Sequence, residues 1–193
     1  MQVAETRKEQ IYSVSSKLFR EKGYSATSMR SLAEQIGIEA ASIYSHISSK
    51  EQILNDICFS MADAFFAAVR QAIVENENVA DKLRAMMTAH IYVIINNIDK
   101  AAVFFHDWRH LSEEAKSKFT SLRAEYEYIY RKVISEGKEQ GIFKQLNEKF
   151  VTLTLFSTLN WTYEWYKPGI TQLNAEEMVS ELTNIFFNGI VIN

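Results

Sequence analysis

Apolar residues recur at helical spacing in the first part of the chain, with polar residues between them. Ile11, Val14 and Leu18 lie three or four positions apart, which is the spacing of one face of an α-helix. Gly23 follows at a position where a glycine commonly ends a helix. The pattern predicts a first helix over about residues 5–22.

Two shorter helices are predicted immediately after this glycine. The apolar positions within residues 29–36 are spaced i, i+3, i+4 and i+7, so they predict a second helix that Thr27 or Ser28 can cap and that Gly37 ends. A third helix, over about residues 40–46, follows after only a few residues. Two short helices joined through a glycine turn and preceded by a covering helix are typical of the helix-turn-helix motif.

The remainder of the chain is also predicted to be helical, with about nine helices in all, so we expect an all-α fold. Ser49, followed by Gln52, can form a capping box that opens a long helix. The stretch 150–166 is apolar around nearly its whole circumference, and Asn174 can cap a last helix that is also apolar. Two successive C-terminal helices of this kind predict a subunit interface.

Composition agrees with a helical chain. Six glycines and one proline leave few residues for hairpin turns, which disfavours a many-stranded β fold. Cys58 is the only cysteine, which excludes an intramolecular disulfide and fits a reducing compartment. No apolar run approaches the roughly 18 residues of a membrane span, and the N-terminus is too polar for a secretion signal. We therefore expect a cytoplasmic protein that does not contact a membrane.

The net charge of −3 is unevenly distributed along the chain. Residues 1–50 carry seven Lys and Arg against five acidic residues, whereas the remainder carries fourteen against nineteen. The mildly basic N-terminal part is the better candidate for contact with nucleic acid. We expect a helix-turn-helix DNA-binding domain over residues 1–50, followed by a larger helical domain over residues 51–193.

A position-specific pattern covers about residues 8–56. It consists of Phe19, Gly23, Tyr24, Thr27, Ser28, Met29, Arg30, Leu32, Ala33, Ile36, Gly37, Ile38, Ile43, Tyr44, Ser45, His46, Ile47 and Lys50. This pattern resembles the DNA-binding domain of TetR/AcrR-type transcriptional regulators. The resemblance implies a homodimeric regulator, in particular a repressor, that binds double-stranded operator DNA. The residues expected at the DNA are Thr27, Ser28, Arg30, Ala40, Ala41, Ser42, Tyr44, His46 and Lys50.

The residue types at these positions suit contact with DNA. Thr27 at a helix start can bond a phosphate, aided by the free amides and the positive dipole end of that helix. Arg30 lies one turn further, where a guanidinium can reach the backbone or a groove edge. The side chains of residues 40–42 are small enough to let the third helix enter the major groove. Tyr44 offers a polar tip and Lys50 a point charge to the phosphates.

Three positions depart from the family's pattern. Glu39 and Ala40 stand where relatives often have a serine and a basic residue, and Ile47 replaces a usual phenylalanine. Glu39 and Ala40 weaken the expected phosphate contacts, so a second interpretation stays open, namely a helical ligand carrier or small enzyme with a vestigial helix-turn-helix. Ile47 remains apolar and should be absorbed by packing.

For residues 51–193, the resemblance implies an effector-binding and dimerisation domain that dimerises through the last two helices. Residues 106–112 and 160–169 are similar to the subgroup that senses acyl-coenzyme A thioesters. Such an effector needs an aromatic-lined apolar tunnel with cationic groups at its entrance. The candidate residues are Phe104, Phe105, Trp108, Arg109, Arg123, Tyr126, Tyr130, Phe156 and Trp161. The aromatic residues can equally form an ordinary core, and a multidrug-type sensor is the alternative effector class.

His106 and His110 lie four residues apart, with Asp107 between them, which is a spacing that can chelate a metal. No third ligand is apparent, so we expect one buried and one exposed histidine and no metal site. Phosphate-binding glycine loops, nucleophile elbows and paired carboxylates cannot be picked out of the sequence. The expected protein is therefore not an enzyme, and it takes a small-molecule effector rather than a cofactor.

Overall fold

The computed structural model describes residues 6–167, 169 and 173–191, and this part of the chain is helical almost throughout. It contains ten α-helices and one 3-10 helix. Their bounds are α1 Arg7–Lys22, α2 Met29–Ile36, α3 Ala40–Ile43, α4 Lys50–Glu75, α5 Val79–Ile95, α6 Ile98–His106, the 3-10 helix Asp107–His110, α7 Glu113–Glu139, α8 Glu148–Asn160, α9 Thr162–Trp165 and α10 Ala175–Ile190. The predicted all-α class is confirmed.

Two predicted helices differ in detail from the observed ones. The third helix is α-helical only to Ile43, and residues 44–46 continue it as turns. The predicted helix over 150–166 is divided into α8 and α9 at Trp161, whose backbone N–H donates to the carbonyl of Leu159 instead of the residue four positions back. This break in the hydrogen-bond ladder explains why ten α-helices occur where about nine were predicted.

Side-chain caps set the starts of the helices. Ser28, rather than Thr27, caps α2, because its hydroxyl accepts a hydrogen bond from the backbone N–H of Ser31 at 3.0 Å. Ser49 caps α4 as predicted by accepting from the N–H of Gln52 at 3.0 Å, but the Gln52 side chain accepts from the N–H of Ser48 rather than from that of Ser49. The reciprocal bond of the predicted capping box is therefore made by the backbone N–H of Ser48 instead of that of Ser49.

The chain forms two compact units. The first unit comprises residues up to 61 together with 98–120, and the second comprises 62–97 together with 121–193. In the first unit α1 packs against α2 and α6. The fully buried side chains at its centre include Ile11, Phe19, Leu32 and Ile43. The helix-turn-helix segment thus shares its core with α6, while the domain boundary at residue 50 stays a prediction.

In the second unit α5 packs against α8, α9 and α10. The buried stripe of α5 includes Leu83, Met86 and Ile91. The last turn of α7 makes a close contact with the segment that follows it, because a Cβ atom at Gly137 would lie 2.2 Å from the ring of Phe143. Only glycine leaves room for that ring, which anchors the segment between α7 and α8.

Helix α4 is apolar and 26 residues long. By length and composition alone it is the one helix of the described chain that could cross a membrane. However, Leu54, Ile57, Met61 and Phe65 on one side of it are all buried within the protein. This is the arrangement of a core helix in a folded domain.

Candidate nucleic-acid interface and aromatic clusters

Most of the residues predicted to contact DNA form an exposed surface on α2, on α3 and on the turn that follows α3. The exposed members are Ser28, Arg30, Ala40, Ala41, Ser42, Tyr44 and His46. The small side chains of residues 40–42 leave the outer side of α3 open. Ile43 and Ile47 are buried beneath it and hold the short helix in place. The packing of Ile47 agrees with the expectation that this departure from the family's pattern is tolerated.

The start of α3 lacks a favourable side-chain cap. Glu39 occupies the N-cap position, and its carboxylate makes no hydrogen bond to the helix amides. The negative charge of Glu39 instead stands next to the exposed surface of residues 40–42. Arg30 on α2 forms an exposed ion pair with Glu34 at 3.2 Å, which a phosphate group can replace.

Thr27 and Lys50 occupy less open positions than the other seven residues. Thr27 is buried, and its hydroxyl donates to the carbonyl of Gly23 at 3.0 Å. The Lys50 ammonium group donates to the carbonyls of Tyr24 and Thr27 at 2.8 Å each. It also lies 4.2 Å from the centre of the Tyr24 ring. Both side chains stabilise the turn that precedes α2, and their contact with DNA stays a prediction.

The same turn is held from its other side by the 3-10 helix. The Tyr24 ring stacks on His110 with ring centres 5.2 Å apart. Asp107 accepts a hydrogen bond from the Tyr24 backbone N–H, and burial of the Asp107 carboxyl raises its pKa. An ion pair of 2.9 Å between Arg20 and Asp99 adds a second link between α1 and α6. These contacts join the helix-turn-helix segment to α6, and the sequence analysis did not predict them.

His106 and His110 do not lie on one α-helix. Helix α6 ends at His106, and the following 3-10 helix changes the spacing of residues 107–110. Both histidines are exposed, which corrects the expectation that one of them is buried. Within the described ranges, no three His, Cys, Asp or Glu side chains are grouped so that they could hold a metal ion.

The predicted effector residues fall into separate clusters. In the first unit Phe104 and Trp108 contact the ring of Phe119, and the Trp108 and Phe119 rings are stacked at 5.6 Å. Phe105 contacts the ring of Phe104 at 5.0 Å. The exposed Arg109 guanidinium lies 4.8 Å from the centre of the Trp108 ring. This first-unit cluster therefore has a cationic group beside it, as the effector hypothesis requires.

In the second unit Tyr126, Tyr130 and Phe156 gather around His90 of α5. The His90 ring lies 5.7–5.8 Å from the Tyr126 and Phe156 rings and stacks on Phe65 at 4.6 Å. Tyr130 completes the group, with its ring centre 4.9 Å from that of Phe156. The sequence analysis missed His90, although it interrupts the apolar stripe of α5.

His90 is neutral and fully hydrogen-bonded. Its Nδ1 atom lies 3.0 Å from the Tyr126 hydroxyl, and its Nε2 atom lies 3.0 Å from the Asn160 side-chain oxygen. Burial lowers the pKa of His90 to about 3. Because the Asn160 oxygen can only accept, Nε2 carries the proton and Nδ1 accepts from Tyr126.

Two predicted effector residues lie outside both clusters. Trp161 is exposed at the end of α8, and its ring contacts that of Tyr163 at 6.2 Å. Arg123 is exposed on α7. Of the motif segment 160–169, Pro168 lies outside the described residues. The binding roles of the whole predicted set stay predictions.

An exposed pair of short helices on a buried core, followed by a larger helical body, is the arrangement of a helix-turn-helix DNA-binding regulator. Residues 11–57 match the family model of bacterial regulatory proteins of the tetR family, and residues 76–190 match that of the tetracyclin repressor-like C-terminal domain. The chain belongs to the TetR family. Regulators of this family are dimers that bind operator DNA and small-molecule effectors.

Individual relatives are similar over nearly the whole chain. The HTH-type transcriptional repressor KstR2 of Rhodococcus jostii RHA1 is 23% identical over 186 residues, which are 95% of this chain and 91% of the relative. The structure of KstR2 of Mycobacterium tuberculosis superposes with a TM-score of 0.93 at 24% identity and covers 100% of this chain and 98% of its own. AibR in complex with isovaleryl coenzyme A and operator DNA gives a TM-score of 0.82 at 23% identity, covering 94% and 98%.

Proposed function

We propose that this protein is a cytoplasmic, homodimeric transcriptional repressor that leaves its operator when a small apolar effector binds, and that it has no enzymatic activity. The observation that carries the proposal is the exposed outer side of α3, where residues 40–42 are small and Ile43 and Ile47 anchor the helix from below. A recognition helix needs this combination of an open face and a fixed base. Similarity to KstR2, which is named a repressor, supports the direction of regulation.

Two copies of α3 in one dimer would enter successive major grooves of a pseudo-palindromic operator. The effector must then bind better to a conformation in which the two helices no longer match that spacing. Switching the dimer from 1:99 to 99:1 requires about 5.5 kcal/mol of differential binding. Helix α4 is the element through which this change would pass, because its residues belong to both compact units.

The effector class we propose is an acyl-coenzyme A thioester. AibR, whose structure holds isovaleryl coenzyme A, has the same fold as this chain. The aromatic cluster around His90 in the second unit provides apolar surroundings for an acyl chain. Arg109 and Arg123 are exposed cations of the kind that phosphate groups require.

The test is fluorescence anisotropy of labelled upstream DNA with purified protein at several salt concentrations, with and without a long-chain acyl-coenzyme A. We expect saturable binding at dimer stoichiometry, a steep loss of affinity with salt, and release by the thioester. Binding without release would retain the regulator and reject this effector class. The absence of sequence-preferring binding at every salt concentration would favour the ligand carrier with a vestigial helix-turn-helix.

Arginine variants separate the acyl-coenzyme A sensor from a multidrug-type sensor. Arg109→Ala and Arg123→Ala should weaken release by coenzyme A thioesters, because each removes a cation that can bind phosphate. Release by an uncharged apolar compound should be unchanged in both variants. Equal weakening for both kinds of ligand would reject the thioester assignment.

A further inference from the structure

The polar network at His90 has a fixed direction of hydrogen bonding. The Asn160 oxygen accepts from Nε2 of His90, so Nδ1 must accept from the Tyr126 hydroxyl. The hydroxyl proton of Tyr130 goes to the backbone carbonyl of Met86, at 2.9 Å. Each of the two tyrosine hydroxyls therefore donates its hydrogen bond to a group other than the neighbouring tyrosine.

As a result, neither tyrosine hydroxyl donates to the other, and no proton lies between the two hydroxyl oxygens. The hydroxyl oxygens of Tyr126 and Tyr130 lie 3.5 Å apart and are both buried. Each oxygen can still accept a hydrogen bond but cannot donate another, because its hydroxyl proton already takes part in a hydrogen bond. Among the residues that the structure describes, no third group donates a hydrogen bond to either oxygen.

The surroundings of this oxygen pair are apolar. The Tyr126 ring contacts Phe65 at 5.8 Å, Phe66 at 5.3 Å and Phe156 at 5.8 Å. A buried acceptor in such surroundings favours a partner that donates a hydrogen bond and disfavours one that can only accept. Phe156 and Asn160 on α8 are only partly buried, so α8 is the side of the cluster closest to solvent in a single chain.

We propose that the Tyr126–Tyr130 oxygen pair is the polar anchor of the effector site, and that it selects an apolar effector that carries a hydroxyl group. The hydroxyl donates to the two oxygens, and the chain of the effector packs among the phenylalanine rings. His90 is a positioning residue, because its bond to Tyr126 keeps the tyrosine proton pointing away from the effector. This inference rests on the proposed function, and it names the chemistry of the effector within that function.

The test compares three coenzyme A thioesters of one chain length, namely the unsubstituted acyl, the 3-hydroxyacyl and the 3-ketoacyl thioester. Affinity is measured by intrinsic fluorescence and by release of labelled operator DNA. We expect the hydroxyacyl thioester to bind about tenfold more tightly than the unsubstituted one, which corresponds to one good hydrogen bond. The ketoacyl thioester should bind more weakly than either, because its carbonyl brings a third acceptor to the pair.

Variants assign this preference to the oxygen pair. Tyr130→Phe keeps the bonds that join His90 to Tyr126 and Asn160 and removes one of the two oxygens, so it should reduce the ratio of hydroxyacyl to unsubstituted thioester affinity. Tyr126→Phe should abolish the preference. Tyr128→Phe, which removes an exposed hydroxyl from the same helix, is the matched control and should retain it.

The outcomes distinguish failure of the hydroxyl inference from failure of the proposed thioester effector. Equal affinity of the wild-type protein for all three thioesters, with release of DNA, would reject the inference and retain the thioester-responsive repressor. A hydroxyl preference that survives in both Tyr126→Phe and Tyr130→Phe would also reject it. Failure of all three thioesters to bind would reject the proposed effector class and the inference together.

Discussion

At the scale of single residues, His90 makes the folded state sensitive to mild acid. Its pKa is about 3 in the folded protein against 6.5 for a solvated histidine. Below pH 6.5 the unfolded chain binds a proton that the folded chain refuses, so the stability falls as the pH falls. The slope approaches about 1.4 kcal/mol per pH unit once the unfolded histidine is fully protonated, and we expect a loss of about 1.6 kcal/mol between pH 6.5 and pH 5 from this group.

Urea unfolding at these two pH values measures the effect. His90→Phe should lower stability at both pH values but should flatten the decline between them. His46→Gln, which changes an exposed histidine, is the control and should decline like the wild-type protein. An equally steep decline in His90→Phe would contradict the assignment.

Lys50 combines a structural role with a predicted role at the DNA. Lys50→Gln removes two charge-assisted hydrogen bonds to the carbonyls of Tyr24 and Thr27, so we expect a loss of about 1–3 kcal/mol in unfolding free energy. If its third N–H contacts a phosphate, the slope of log affinity against log salt should also decrease by about one. Urea unfolding and anisotropy at several salt concentrations measure the two effects separately. An unchanged slope would limit Lys50 to the folding of the turn.

At the scale of elements, the first turn of α3 lacks an N-cap hydrogen bond that a substitution can supply. Glu39→Ser should supply an N-cap hydroxyl and remove a negative charge from the surface that is predicted to face the phosphates. We expect DNA affinity to rise by about fivefold at low salt, which corresponds to about 1 kcal/mol. Glu39→Gln removes the charge without a good cap and should give part of the gain. Anisotropy titrations in which neither variant binds more tightly would contradict this view of Glu39.

Helices with strong periodic patterns were predictable from the sequence. Elements that depend on contacts with residues distant along the chain were not. The spacing of Leu32, Ala33 and Ile36 was sufficient for α2, and the Asn174 capping box was sufficient for the start of α10. The break at Trp161 has no proline or glycine signal, so one long helix was predicted there. The 3-10 helix after His106 was missed because its residues pack on Tyr24, far away along the chain.

At the scale of the whole molecule, α8 and α10 present apolar side chains that a monomer leaves in water. Phe150 on α8 is 71% exposed and Ile185 on α10 is 68% exposed. Large exposed apolar residues on neighbouring helices mark an interface, and the family is dimeric. We predict that this face forms the dimer, as the sequence analysis expected.

Ile185→Glu should therefore convert the dimer to a monomer, because a charge would be buried in the interface without a partner. Analytical ultracentrifugation measures the change, and affinity for the full operator should collapse towards that of one half-site. Val74→Glu is the matched control, since Val74 on α4 is 83% exposed and lies outside both helices. A dimeric Ile185→Glu protein would place the interface elsewhere.

The sequence by itself determined the all-α class, the helix-turn-helix segment and most of the residues that its exposed surface presents. These features depend on local spacing, capping residues and a pattern that lies within one stretch of chain. Only the tertiary structure decided that Thr27 and Lys50 hold a turn, that the predicted aromatic residues form separate clusters, and that His90 is bonded between Tyr126 and Asn160. These partners are 36 and 70 positions from His90, and spacing along a single chain carries no information on contacts at that distance.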